Sequence, residues 1–338
     1  KGFDAAFPRA VRRLGPSPAG HVVDKLTRLS AQGGTLGMHA PTAIAVTSRD
    51  LVVPTQDRSV PSATVFEPPA AGVRCLDRQL ADMALALDYY GHIVALVPAS
   101  PADPGRRRLH TIRAMLESDR IALVETDLPP LAVGLLALQL RQLSVTGLSP
   151  GVLAGAARLL TYYLYAGALL ASVTRLDRVE VGLRTHLRSW VPGARFAVTV
   201  NPEPRLVQVP GDEELPGPGY LTHLAVAANG QATDWVKGEL ARWWRPRLVH
   251  DLPLPAASTR WWGTGRLVEF TAYIPDVGSL YQLVTSVRKE LCGWCGLEVI
   301  GDRCLFCSSP VAVGGTTAAA HRTATTPSQP SEIGPTSR

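Results

Sequence analysis

Residues 92–97, His-Ile-Val-Ala-Leu-Val, and residues 121–125, Ile-Ala-Leu-Val-Glu, are short apolar runs, and each is followed by a stretch with helical periodicity, 106–116 after the first and 131–143 after the second. Ahead of both, Leu76, Leu80, Met83, Leu85 and Leu87 mark a helical stripe that reaches Tyr90 and stops at Gly91. Strands that are apolar on both faces and alternate with helices belong to a parallel sheet covered on both sides. Residues 43–53 have the β-branched content of one or two more strands, and 54–72 are a proline-dotted connection. The pattern predicts an α/β unit over residues 41–145.

Working outward, residues 1–40 read as an N-terminal extension with one or two amphipathic turns. Its Gly33-Gly34 pair has neither the preceding strand nor the following Lys-Ser or Lys-Thr of a phosphate loop. Residues 152–173 are the most apolar stretch and are long enough to cross a bilayer. Arg158 lies well inside it, however, and Thr161, Tyr162, Tyr163 and Tyr165 fall mid-span, so a buried central helix is expected instead. This central helical segment, 146–190, continues as a basic amphipathic helix with Leu176, Val179, Leu183 and Leu187 on one side.

All seven tryptophans lie from Trp190 onward, and that shift marks a boundary. Beyond it, 196–200 and 205–209 flank Asn201-Pro202-Glu203-Pro204 as a hairpin. Strands at 221–227 and 267–274 and helices at 233–244 and 278–291 complete an α+β unit over 191–291. Residues 311–338, rich in Ser, Thr, Pro, Ala and Gly, predict a disordered tail.

Four of the five cysteines form two Cys-x-x-Cys knuckles, Cys292 with Cys295 and Cys304 with Cys307. A thiolate tetrad at this spacing closes a tetrahedron around one zinc, with iron, a redox pair or disulfides as the competing chemistries. Residues 297–300 and 303–306 are expected to pair as a hairpin whose folding energy comes from the metal. The stretch resembles the short zinc-ribbon modules at the ends of many bacterial and archaeal proteins, with Cys-x-x-Cys-Gly in the first knuckle and Ser308 where a glycine is usual in the second. That resemblance covers 292–307 and implies structural Zn²⁺ in a ribbon over 292–310. It also implies a rigid surface offered to a nucleic acid or another protein. Four cysteines leave no open position for water, which argues against catalytic zinc. The fifth, Cys75, reads as a small buried hydrophobe in a helix, and this cysteine usage points to a reducing, cytoplasmic compartment.

The formal net charge is +6, but only Lys1, Lys25, Lys237 and Lys289 are lysine among 34 basic residues. An arginine-rich, spread excess suggests a GC-rich genome more than selection for phosphate contacts. In a parallel sheet, chemistry gathers where strands end. Two loops qualify, 98–108 with Arg106, Arg107 and Arg108, and Glu125-Thr126-Asp127. Glu125 and Asp127 are the candidate catalytic carboxylates, able to hold Mg²⁺ for phosphoryl transfer; alternatively, Thr126 and Asp127 cap a helix starting near Pro129. The string Val-Glu-Thr-Asp, 124–127, resembles the metal-binding strand end of toprim-type enzymes but lacks their glycine after the glutamate.

The candidate binding surface is Arg242, Trp243, Trp244, Arg245 and Arg247 with Arg260, Trp261 and Trp262. Arginines interleaved with tryptophans stack on bases, anchor protein interfaces, or simply lie in a core. The expectation is a non-enzymatic, cytoplasmic zinc-ribbon protein that binds or assembles with a protein or nucleic-acid partner. The alternative is a metal-dependent enzyme of phosphoryl transfer on nucleic acid or nucleotides. Membrane association is not expected, and the scattered histidines read as structural or solvent-exposed.

Overall fold

The computed structural model describes residues 41–55, 57–67, 76–100, 103–174, 176, 195–211 and 213–311. The expected extension at 1–40, Cys75, nearly all of the basic amphipathic helix and the tail after 311 lie outside these residues.

Four strands, β1 (Ala43–Val46), β2 (Thr64–Val65), β3 (Ile93–Pro98) and β4 (Ile121–Thr126), form a wholly parallel sheet in the order β2-β1-β3-β4. Helices α1 (Leu76–Tyr90) and α2 (Pro104–Met115) cover one face through Met83, Leu87, Leu109 and Ile112. Gly91, at φ +72°, ends α1 in a conformation that costs glycine nothing. This is the α/β unit the apolar runs predict.

The other face of the sheet packs on α3 (Pro130–Ser144), of which every residue but Gln142 is buried. A helix apolar all round must be covered all round, and α3 is covered by a second sheet. That sheet comprises β5 (Tyr165–Leu170), β6 (Arg195–Asn201), β7 (Arg205–Val209), β8 (His223–Asn229), β9 (Leu248–Asp251) and β10 (Leu267–Tyr273). Its order is β7-β6-β5-β10-β8-β9, antiparallel except for β8 with β9. Alternation along β10 puts Val268, Phe270 and Ala272 against Trp235, Leu240 and Trp244 on the far face, while Leu267, Glu269 and Thr271 face the α3 side.

The expected central helix is two elements. Helix α4 (Pro150–Thr161) stops, and the chain re-enters the second sheet as β5. The Asn201 side-chain amide donates to the carbonyls of Thr161 (2.8 Å) and Leu164 (2.5 Å), supplying partners that the ending helix leaves without one. Gly167 fixes the strand between its neighbours, since a Cβ there would lie 2.3 Å from the Val198 carbonyl oxygen and 2.7 Å from the Phe270 ring. An apolar run alone does not distinguish a buried helix from a buried strand. Among the described residues no helix is long and apolar enough to cross a membrane.

The hairpin β6–β7 forms as expected. The C-terminal helix, α5 (Val277–Ser286), is shorter than expected: it starts at the Asp276 cap, whose carboxylate accepts from Ser279 N–H, and ends five residues before the first knuckle.

Candidate functional site: an apolar cleft and a four-cysteine centre

The four cysteines come together as the spacing predicts, with all four Sγ atoms within 4.8 Å of one another. Cys292 and Cys307 are 3.5 Å apart and Cys295 and Cys304 3.6 Å, close to the edge of about 3.8 Å that a tetrahedron with Zn–S bonds of about 2.3 Å requires. The donor set, four sulfurs and no open position, fits a zinc ribbon. Burial raises the Cys304 thiol while N–H groups of Cys307 and Phe306 favour its thiolate.

The strand pairing differs from expectation. Each knuckle is the turn of its own hairpin: β11 (Glu290–Leu291) pairs with β12 (Glu298–Val299) around the first, and Arg303 bridges Pro310 around the second. The reason lies in the backbone, because Cys292 N–H donates to Leu297 O and Gly296 N–H to Cys292 O, and Cys304 and Ser308 repeat the pattern with Ser309 O and Cys304 O. Gly296 (φ +71°) and Ser308 (φ +65°) take equivalent left-handed positions, so the serine carries a strain that glycine avoids; Gly293 needs no such conformation.

The ribbon is docked on the fold. A Cβ on Gly151 would lie 2.4 Å from Glu298 O, and one on Gly155 would lie 2.9 Å from Ile300 Cβ, so β12 lies directly on the glycine face of α4. Ser149 Oγ donates to Glu298 O at 2.9 Å, Arg113 donates to Phe306 O, and the buried Phe306 ring meets His92 edge-on.

Glu125 and Asp127 stand at the end of β4, where Glu125 is engaged in an ion pair. Glu125 Oε1 accepts from Arg106 (Nη2 2.5 Å, Nε 3.1 Å) and lies 3.5 Å from His110 Nε2, an ion-pair cluster on the surface. Asp127 is exposed and has a partner of its own. Among the described residues, the cysteines are the group placed to hold a metal, and these carboxylates are not in it. Neither Thr126 nor Asp127 is the α3 N-cap: Pro129 is, and the Thr126 hydroxyl accepts from Leu128 N–H.

The Trp-Arg residues do not make one surface. Trp244 is buried on one face of the six-stranded sheet, with Nε1 donating to Leu215 O at 3.1 Å, and Trp262 is buried on the other. Trp243 packs edge-on against Trp235, Trp261 against Trp262, and Arg242, Arg245, Arg247 and Arg260 are exposed around them. The tryptophans are chiefly core.

What the sequence did not reveal is a small apolar cleft, with room of about 20 Å³, between the two sheets' units. Three chain segments wall it: Asp50, Val52, Val53 and Pro54 after β1; Pro130, Leu131 and Gly134 at the start of α3; and Leu252, Pro253 and Pro255 after β9. Two of these follow parallel strands at their carboxyl ends, the place such sheets bind ligands. Gly134 lets α3 approach the first wall, since a Cβ there would lie 2.9 Å from Leu51 O. Asp50 stitches the first wall to the third by accepting from Ala256 N–H.

Directly behind Leu131 is Glu269, fully buried in β10. Its Oε1 accepts from Leu131 N–H at 2.9 Å, filling the amide end of α3. Its Oε2 has no partner at hydrogen-bonding geometry, and the same is true of the neighbouring Ser258 Oγ and Trp262 Nε1. Burial pushes the Glu269 carboxyl up to about 7, against the opposing pull of Ser258, the Leu131 N–H and Trp262. A lone carboxylate in the apolar run Leu-Val-Glu-Phe-Thr-Ala-Tyr, 267–273, was the available signal.

No protein-family model and no curated protein matches this chain. Solved structures do. A DegV family protein from Corynebacterium glutamicum superposes with a TM-score of 0.51 at 15% identity, over 70% of this chain and 97% of that one. A DegV family protein from Thermus thermophilus, described by its fatty acid binding, gives 0.49 at 15%, over 70% and 99%. DegV from Bacillus subtilis, described as a fatty acid binding protein, gives 0.45 at 12%, over 70% and 100%. The expectation of a zinc-ribbon protein built to contact a protein or nucleic acid, and the alternative of phosphoryl transfer, are corrected by the fold, which is that of a DegV family protein. Across about 70% of its length, the chain has the fold of a DegV family protein.

Proposed function

We propose that this chain holds one long-chain lipid by its apolar tail in the cleft between the parallel-sheet unit and the six-stranded-sheet unit, and that its cysteines hold one structural Zn²⁺. The observation that carries the first part is the cleft wall, in which Val52, Val53, Pro54, Leu131, Leu252 and Pro253 surround a space at the carboxyl edge of the parallel sheet. The fold supports it, because DegV family proteins from two other organisms are described as binding fatty acids. With room of about 20 Å³, roughly that of one water, the cleft is closed as it stands, so a lipid tail requires its walls to part. The zinc would close the ribbon that docks on α4.

The test is binding of the uncharged dye Nile red to the delipidated full chain, compared with Val52→Phe, which fills the first wall. Saturable binding at one site, weakened about tenfold or more in the variant while its melting temperature holds, supports the reading. Equal binding to both places the dye elsewhere and sinks it. Elemental analysis of the same preparation should give one zinc per chain.

A further inference from the structure

We infer that residues 252–257 form a hinged strap over this cleft, that the Asp50 carboxylate is its latch, and that a lipid tail enters when the strap lifts. The inference rests on the lipid-binding reading above and names the wall of the closed cleft that moves.

Two of the three walls are pinned. The first is held by Arg141, buried in α3, which donates from Nη1 to Val53 O at 2.8 Å and from Nε to Pro61 O at 2.7 Å. The second is the start of α3 itself, where the buried Glu269 holds Leu131 N–H at 2.9 Å and Gly134 lies against the Leu51 backbone. Parting either of them leaves buried polar groups unpaired, which is costly.

The third wall, Leu-Pro-Leu-Pro-Ala-Ala, is built differently. Pro253 and Pro255 have no N–H to give, and none of the six side chains carries a polar group, so few bonds can hold it. Pro253 and Ala256 are exposed, and Leu252, Leu254 and Ala257 are partly buried. Its ends are firm. Before it, Leu252 N–H donates to Val226 O at 2.8 Å and prolongs the pairing of β9 with β8; after it, Ser258 and Trp262 are buried. A short piece stiffened by two prolines between firm ends moves as a unit about those ends.

The hydrogen bond that joins this piece to the parallel-sheet unit runs from Ala256 N–H to Asp50 Oδ2, while Asp50 Oδ1 accepts from Ser48 Oγ. Asp50 is exposed, so water replaces the bond when it breaks, and the latch opens at low cost. Lifting the strap takes Leu252, Pro253 and Pro255 out of the cleft wall and peels Leu252 N–H from Val226 O. The latch is made in the closed, empty protein and is lost when a tail holds the walls apart. Opening it is therefore a cost deducted from affinity and from the rate of entry.

The experiment follows uptake of cis-parinaric acid, a fluorescent long-chain fatty acid, by the delipidated full chain in stopped flow. Asp50→Ala removes the latch, and Ser48→Ala keeps it. The expected result is uptake about fivefold faster and binding about fivefold tighter in Asp50→Ala, with Ser48→Ala within about twofold of wild type. An equal or slower rate in Asp50→Ala, or the same acceleration in Ser48→Ala, overturns the latch. Hydrogen exchange of the ligand-free proteins reads the strap without any lipid. Leu252 N–H is bonded to Val226 O and not to Asp50, so it should exchange about fivefold faster in Asp50→Ala while the amides of β10 keep their wild-type rates. Unchanged exchange at Leu252 overturns the strap, whatever the uptake shows. Accelerated exchange with no uptake by either protein overturns the lipid reading and leaves the strap standing.

Discussion

Glu269 gives a prediction whose size can be worked from the structure. Its carboxyl has an ordinary value of 4.5 and is held at about 7 by full burial. The folded protein thus binds this proton more tightly than the unfolded chain does. The stabilisation is fully present below about pH 4.5 and is lost as pH rises through 7. A shift of that size is worth about 3 kcal/mol, because each pKa unit corresponds to about 1.4 kcal/mol. Glutamine has the same shape and does not titrate. The difference in stability, Glu269→Gln minus wild type, should therefore rise by about 3 kcal/mol between pH 4.5 and pH 8, whatever its value at either end. In melting temperature this is roughly 6–12 °C at 2–4 °C per kcal/mol. The assay is thermal unfolding of both proteins across that range, in which carboxylates common to the two cancel. A difference that stays flat within about 1 kcal/mol would refute the claim that this carboxyl is buried and raised.

Three further outcomes are expected of the ribbon. Cys304→Ser should release the metal, measured as zinc per chain falling from one towards none. Stability should fall by about 2–5 kcal/mol, as expected when large core side chains such as Phe306 lose their packing. Ser308→Gly should stabilise by roughly 0.5–1 kcal/mol, because it relieves a left-handed serine and offsets part of that with a freer unfolded chain. Gly151→Ala should destabilise by about 1–3 kcal/mol with zinc retained, since its Cβ meets the Glu298 backbone of the docked ribbon. Melting curves paired with elemental analysis check all three.

How much of this was legible follows from how local each feature is. The strands β3 and β4 announced themselves because each is apolar along its own length, and parallel pairing follows from the helices between them. Helix α3 was visible as a helix, and its all-round apolarity hinted at two covering sheets. The split of 152–173 was hidden, because what ends the helix is Asn201, thirty-seven residues beyond Leu164, and what makes the strand is Gly167 against Val198 and Phe270. The zinc ligands were legible because their spacing is itself the geometry, whereas the ribbon's pairing is set by hydrogen bonds that the spacing does not encode. The cleft was invisible. Its walls come from two proline-bearing loops and the proline-led start of α3, and Glu269 meets Leu131 across 138 residues of sequence. The Trp-Arg stretches misled for a related reason: their composition suits a surface, but the sheet faces send Trp244 and Trp262 to opposite sides.

The central claim is that the cleft holds a lipid tail, and the most direct test is a crystal structure of the full chain with 12-bromododecanol, in which the bromine marks the tail's end. The account predicts one anomalous peak per chain in or just beyond the cleft, with the tail lying between Val52, Leu131 and Leu252. A cleft without the tail, with bromine instead on an exposed apolar side chain such as Trp294 of the ribbon, would contradict it.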